Sequence, residues 1–209
     1  MSKFLAVDTS SRYLTVAACN GKKKVVNHLP ECAMNHSVVL MGEIEKALNE
    51  VNLTPAECDF FAAVTGPGSF TGIRIGVSCV KGYAVALGKS AVGVTTFDML
   101  SYNVNSDCDY LVAVDAAHGN FYVCGYTAEG VCNLAACCLS GEEVAAKGLP
   151  VYGFEELDLP KYKKLNAADC LYPAVLKAAD KAEEAGGLHA LYVKKSQAEE
   201  EREARLKGL

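Results

Sequence analysis

The segment Ala63–Gly76, AVTGPGSFTGIRIG, decides how this chain folds. It continues the apolar run FFAAV (Phe60–Val64) and leads into a second apolar stretch that runs to Leu87. An uninterrupted apolar run of that length suits a strand buried on both faces. The stretch from about Thr71 to Leu87 has helical length, and Gly88 is a natural C-terminal stop. A glycine turn between a strand and a helix is a common place to hold a phosphate, but neither standard fingerprint is present. A Walker A loop needs a lysine directly after its last glycine, and none follows Gly72. The dinucleotide pattern G-x-G-x-x-G fits Gly66 and Gly68 and then meets Thr71. Free N–H groups at a helix N-terminus still favour an anion. The competing reading is a sharp turn followed by a thin helix face. Gly72, Gly76, Cys79 or Val80, and Tyr83 recur along one side, where a second helix could pack closely. The spacing favours packing over phosphate binding.

Working outward, Phe4–Val7 is a short apolar strand that ends at Asp8. DTSSRY is a turn, LTVAAC a second strand, and KVVNHL a third. Asn20–Gly21 between the last two suits a two-residue hairpin turn, because both residue types tolerate positive φ. NHSVVLMGEIEKALNEV has helical apolar spacing at Val39, Met41, Ile44, Leu48 and Val51, with Asn35 or Ser37 as its cap. Downstream of the glycine segment, AVGV is a strand, and TTFDMLSYN opens a helix capped by Thr95 or Thr96. The first half therefore reads βββαβα plus a helix.

The second half repeats the opening. LAVDTSSRYLTVAA (5–18) aligns with VAVDAAHGNFYVCG (112–125), so Ala6, Val7, Asp8 and Val16 match Ala113, Val114, Asp115 and Val123. VCNLAACCL supplies a third strand, SGEEVAAKG a short helix capped by Ser140, LPVYGF a strand and ADCLYPAVLKAADKAEEAG a helix. The shared element order points to an internal duplication. It divides the chain into residues 1–102 and a smaller second unit, 103–209, at the polar stretch NVNSDCD, with the C-terminal helix able to pack back on the first unit.

The chain has 209 residues and a net charge of −5, so no basic footprint for gripping nucleic acid alone is present. An RNA role would need a partner. No signal peptide or membrane span is evident at the N-terminus. The ten cysteines contain no CxxC pair, and most lie in apolar runs, as expected of a cytoplasmic thiol protein rather than a disulfide scaffold. The tail KKSQAEEEREARLKGL reads as a solvated terminal helix.

Two acids and a few histidines are candidates for chemistry. Asp8 and Asp115 each end an apolar strand at a turn. Facing each other across a cleft they could hold magnesium or act as general base, and each could equally serve its own turn by bonding the backbone. Of His28, His36, His118 and His189, none forms HxxxH or HExxH, so no metal site is expected. His36, near a helix start, reads as a cap or surface residue. Ser69 is not in a G-x-S-x-G elbow, which leaves nucleophilic hydrolysis unsupported.

GPGSFTGIRIGVSCVKGYA (66–84), with LAVDTSSRYLTVAA before it and VGVTTFDML after it, resembles the bacterial TsaB (YeaZ) family of tRNA threonylcarbamoyladenosine-biosynthesis proteins, once labelled glycoprotease-like (M22). LYVKK (191–195) is similar to the family's closing segment. The resemblance implies a duplicated actin/Hsp70-like (ASKHA, ribonuclease H-like) α/β fold. It implies a non-catalytic, cytoplasmic subunit that binds and activates the catalytic paralogue TsaD, beside the ATPase TsaE, for threonylcarbamoyl transfer to N6 of adenosine 37 (t6A). ATP and metal would sit on those partners, tRNA would be met only through the complex, and the same surface could form a homodimer. The helices Ser37–Val51 and Thr71–Leu87 would form that surface, with Val38, Met41, Glu45, Gly72, Ile75, Gly76, Cys79 and Tyr83 upon it. Asp8, Thr9, Ser10 and Asp115 would line a degenerate nucleotide cleft. Ala117 and Asn120 depart from the family's D-A-R-x-x-E-V-Y pattern, standing where it has Arg and Glu. The alternative is a stand-alone ATP-dependent ASKHA-type enzyme or an M22-like metallopeptidase, with Asp8 and Asp115 as its acids.

Overall fold

The computed structural model describes residues 2–181, 183–184 and 187–193. The charged tail expected as a terminal helix, and the last two residues of LYVKK, lie outside these residues.

The first sheet is built from β1 (Lys3–Asp8), β2 (Leu14–Asn20), β3 (Lys23–Leu29), β4 (Phe60–Gly66) and β5 (Ser90–Thr95), with α1 (His36–Glu50) and α2 (Phe70–Leu87) between its later strands. β1 pairs antiparallel with β2 and parallel with β4, setting Leu5 beside Ala18 and Ala6 beside Ala62. A six-residue helix, α3 (Thr96–Ser101), follows with the Thr95 hydroxyl accepting from Asp98 N. The second sheet uses β6 (Tyr110–Asp115), β7 (Asn120–Tyr126), β8 (Cys132–Ser140), β9 (Val151–Gly153) and β10 (Tyr162–Lys164), with α4 (Gly141–Ala146) after β8. α5 (Ala167–Ala178) follows, and β11 (Glu183–Glu184) pairs with β5.

Without β11, the spatial order is β5-β4-β1-β2-β3 in one sheet and β10-β9-β6-β7-β8 in the other. Both have antiparallel pairs on one side of the first strand and parallel pairs on the other. Each is the same five-strand unit, which establishes the duplication and the actin/Hsp70-like α/β class.

Strand alternation sorts the core into layers. Phe4 and Ala6 point one way, to a central core they share with α3, α5 and the second sheet's Tyr110, Val112 and Tyr126. Leu5 and Val7 point the other way, under α1 and α2. On the second sheet, Leu111 and Ala113 face a small outer core closed by Val144 of α4. The C-terminal helix thus sits between the sheets and contacts β1, β2, β3 and β5 of the first.

α2 has the length and apolarity of a membrane span. Here it covers a sheet: Gly72, Ile73, Gly76, Val77, Val80 and Ala84 are buried on its inner side. Full burial of a side chain such as Ile73 is worth about 1.5–3 kcal/mol.

Four local details differ from the sequence reading. The helix expected over ADCLYPAVLKAADKAEEAG stops at Ala178, and Glu183–Glu184 within that stretch form β11. The first hairpin closes with Asn20 opposite Lys23, so its two-residue loop is Gly21–Lys22, one position later than Asn20–Gly21. Asn35 occupies the cap position of α1 but makes no side-chain cap bond. β10 was unforeseen, since its YKK sequence is short, polar and partly exposed.

Candidate functional site

The glycine segment and the β1–β2 turn form one knot. After β4 the chain reverses through Gly66, at φ +105, and a cis Gly66–Pro67 bond. Ser69 then caps α2, its hydroxyl accepting from Gly72 N at 3.2 Å. Its own N–H donates to Ser10 O at 2.6 Å, and the Thr9 hydroxyl donates to Gly72 O at 2.7 Å. The glycines permit this approach. A Cβ on Gly72 would lie 2.0 Å from Thr9 O, one on Gly68 2.2 Å from Ser10 O, and one on Gly76 2.5 Å from Thr9 Oγ1.

This corrects the expected docking face. Gly72 and Gly76 are buried and point inward at the end of β1, so they cannot receive a helix from outside. The thin face of α2 is instead an internal joint between helix and turn. Of the other expected surface residues, Val38, Met41 and Glu45 are exposed on α1. Ile75, Cys79 and Tyr83 are half-buried; Cys79 Sγ lies 3.9 Å from Met41 Sδ, and Tyr83 stacks on Phe61 at 5.3 Å. The outward stripe of α2 runs through Thr71, Ser78, Gly82 and Val85. Sequence spacing missed Ser78, Gly82 and Val85, although their i, i+4, i+7 recurrence was present. Val38 is 77% exposed, Val85 71% and Met41 54%. Apart from its chain neighbours and its own helix backbone, a Cβ placed on Gly42 or Gly82 would meet nothing within 4 Å.

A cleft of about 590 Å³ opens beside the knot, between the two sheets. Ser10, Ser69, Thr71, His36, Asp115 and Glu155 contribute its polar lining. Of the four residues expected there, Ser10 and Asp115 line it, whereas Asp8 and Thr9 do not and are fully buried behind it. The two aspartates therefore do not face each other across the cleft. Each serves its own turn: Asp8 Oδ1 accepts from Ser10 N at 2.9 Å and from Ser10 Oγ at 2.6 Å, and Asp115 Oδ1 accepts from Ala117 N at 2.9 Å. The departure from the family pattern falls in the second turn, where Ala117, His118 and Gly119 all have positive φ. Asn120 there donates to His118 O. His36 is neither a cap nor a surface residue. It is buried, and its Nε2–H donates to Tyr13 O at 2.9 Å, tying α1 to the first turn.

Asp8 Oδ2 and the Tyr13 hydroxyl are both buried and interact with each other. Burial raises the Asp8 pKa above the usual 3.8, against the opposing pull of its Ser10 hydrogen bonds. A proton is thus held more tightly in the folded chain than in the unfolded one. The stability this provides is complete below about 3.8 and is lost as pH rises through the raised folded value. The wild type is expected to gain stability relative to Asp8→Asn as pH falls from 7 toward 4. Urea denaturation of both proteins across that range checks it; an unchanging difference would contradict it.

Among the described residues no group of three or more His, Cys, Asp or Glu side chains is placed to hold a metal.

The geometry can be set beside known proteins. The family model "TsaD: tRNA N6-adenosine threonylcarbamoyltransferase" matches residues 28–151. A TsaB protein of Buchnera aphidicola is 33% identical over 56% of this chain and 57% of its own length, and one of Bacillus subtilis is 31% identical over 56% and 52%. Both are described as tRNA threonylcarbamoyladenosine biosynthesis proteins; the chain spans little more than half the length of each. An uncharacterized protein of Mycobacterium bovis is 30% identical over 72% of this chain and 74% of its own. YeaZ from Pseudomonas aeruginosa superposes with a TM-score of 0.76 at 23% identity, covering 92% of this chain and 100% of that one. A second P. aeruginosa structure, of a protein with similarity to peptidase YEAZ, gives 0.75 at 24% identity over 93% and 100%. These two structures bear on the fold alone.

Proposed function

The chain belongs to the TsaB (YeaZ) family, and from that premise we propose that it is a partner subunit for the formation of threonylcarbamoyladenosine in tRNA, docking on a TsaD-type catalytic protein through α1 and α2. The observation that carries this reading is the exposed apolar face of those helices. Val38, Met41 and Val85 stand open to solvent beside Ser78, Gly82 and Gly42, where little side chain would hold a partner away. Exposed apolar side chains on a helix face are characteristic of association sites. In the absence of a partner the same face would pair with a second copy, since a twofold axis needs only one self-complementary patch.

The catalytic step belongs to the paralogue in this reading. Asp8 and Asp115 are each committed to their own turn, and of the two only Asp115 reaches the cleft. ATP and metal would be handled by the TsaD-type subunit and a TsaE-type ATPase. With a net charge of −5, the chain would meet tRNA through the complex, in the cytoplasm.

The test is reconstitution. A TsaD-type protein, a TsaE-type ATPase, ATP, a threonylcarbamoyl donor and unmodified tRNA are combined with and without this chain, and the nucleosides are analysed by mass spectrometry. Threonylcarbamoyladenosine is expected only when the chain is present. Equal modification without it would overturn the proposal.

A further inference from the structure

Cys124 and Cys132, on β7 and β8, line neither the cleft nor the α1–α2 face. We infer that they form a reversible dithiol–disulfide couple that locks the edge strand β8 to β7. Their Sγ atoms lie 3.8 Å apart, and both thiols donate to the same acceptor, Leu134 O, at 3.2 and 3.5 Å. Of the ten cysteines, this is the one pair whose sulfurs meet among the described residues.

The strand geometry explains the meeting. Tyr126 lies opposite Cys132, yet Gly125 lies opposite Leu134, so Asn133 is an extra residue on β8. This bulge bends the strand toward its neighbour. Gly125 makes room for it: a Cβ there would lie 2.8 Å from both Asn133 Oδ1 and Leu134 Cβ. Asn133 is fixed in turn by donating to Asp109 Oδ2 at 2.9 Å. The bulge is therefore held in place, and the two thiols with it.

The two sulfurs have different exposures, which assigns their roles. Cys132 is exposed, whereas Cys124 is buried in the central core. Cys132 is reached first. Its thiolate attacks one sulfur of a small disulfide such as oxidised glutathione, forming a mixed disulfide and releasing one glutathione thiol. Cys124 then gives its Sγ proton to solvent and attacks the Cys132 sulfur, expelling the second glutathione thiol. Two protein thiols are oxidised and one small disulfide is reduced. Burial first, and the Cys132 contact after it, push the Cys124 thiol up to about 11, so closure is the slow step.

Oxidised glutathione is the probe. The full chain is treated with it, alkylated, digested without reduction and mapped by mass spectrometry. The expected product is a Cys124–Cys132 linked peptide, 2 hydrogens lighter than the dithiol pair, that dithiothreitol reverses. Between pH 7 and 9, conversion of the mixed disulfide is expected to quicken about tenfold per unit, following the Cys124 thiolate. Cys132→Ser, at an exposed site, should abolish the product, while Cys138→Ser should leave it intact. A dominant bridge between other cysteines would overturn the inference. So would a glutathione adduct on Cys132 that persists at pH 9.

Discussion

Gly72→Ala is expected to destabilise the fold by about 3 kcal/mol, at the upper end of the overpacking range. The added methyl would sit 2.0 Å from Thr9 O. That oxygen is backbone and belongs to a turn held by Asp8, so it cannot yield as the end of a flexible side chain would. Relief requires α2 to lift from β1, which also strains the Thr9 hydroxyl bond to Gly72 O and the Ser69 bond to Ser10 O. Gly82→Ala is the control on the same helix. Apart from its chain neighbours and its own helix backbone, nothing lies within 4 Å of its Cβ position, so alanine there should stabilise by about 0.5–1 kcal/mol through helix propensity. Urea denaturation of the two variants checks the pair. Equal effects would contradict the inward placement of Gly72. A charged residue at Gly76 tests folding for the same reason, and says nothing of docking.

The double variant Val38→Glu/Met41→Glu is expected to weaken association with a TsaD-type partner at least 100-fold while leaving the fold intact. Both side chains are largely exposed in the isolated chain, so neither substitution buries a charge or opens a cavity. In a complex, two carboxylates would be desolvated at the centre of an apolar contact, and central interface positions often carry 2 kcal/mol or more each. Circular dichroism and thermal melting should match the wild type, and titration calorimetry should register the loss. Unaltered affinity would remove α1 from the interface.

Much of the fold was legible because strand alternation and buried runs are local signals. The match of Leu5–Ala18 to residues 112–125 located the duplication, and both copies of the sheet order bore it out. The orientation of α2 was not legible. A helix carrying small residues at 72 and 76 on one side and at 78 and 82 on another offers two thin faces, and spacing alone cannot say which meets the sheet. The decision is made by the β1–β2 turn, whose Thr9 and Ser10 carbonyls press on the helix start from about sixty residues away. For a related reason the sequence leaves open the choice between a cleft pair and two separate turns for the acids. Asp8 and Asp115 share a sequence context, but Asp8 is sealed beneath Ser10 and Tyr13 while Asp115 stays open. The Cys124–Cys132 contact depends on a one-residue bulge that no composition rule signals.

The most direct measurement of the central claim is sedimentation velocity on the wild-type chain mixed with a TsaD-type protein. A single faster species containing both proteins is expected, absent from either protein alone and lost in the Val38→Glu/Met41→Glu variant. Two independent boundaries at micromolar concentrations, unchanged on mixing, would contradict it.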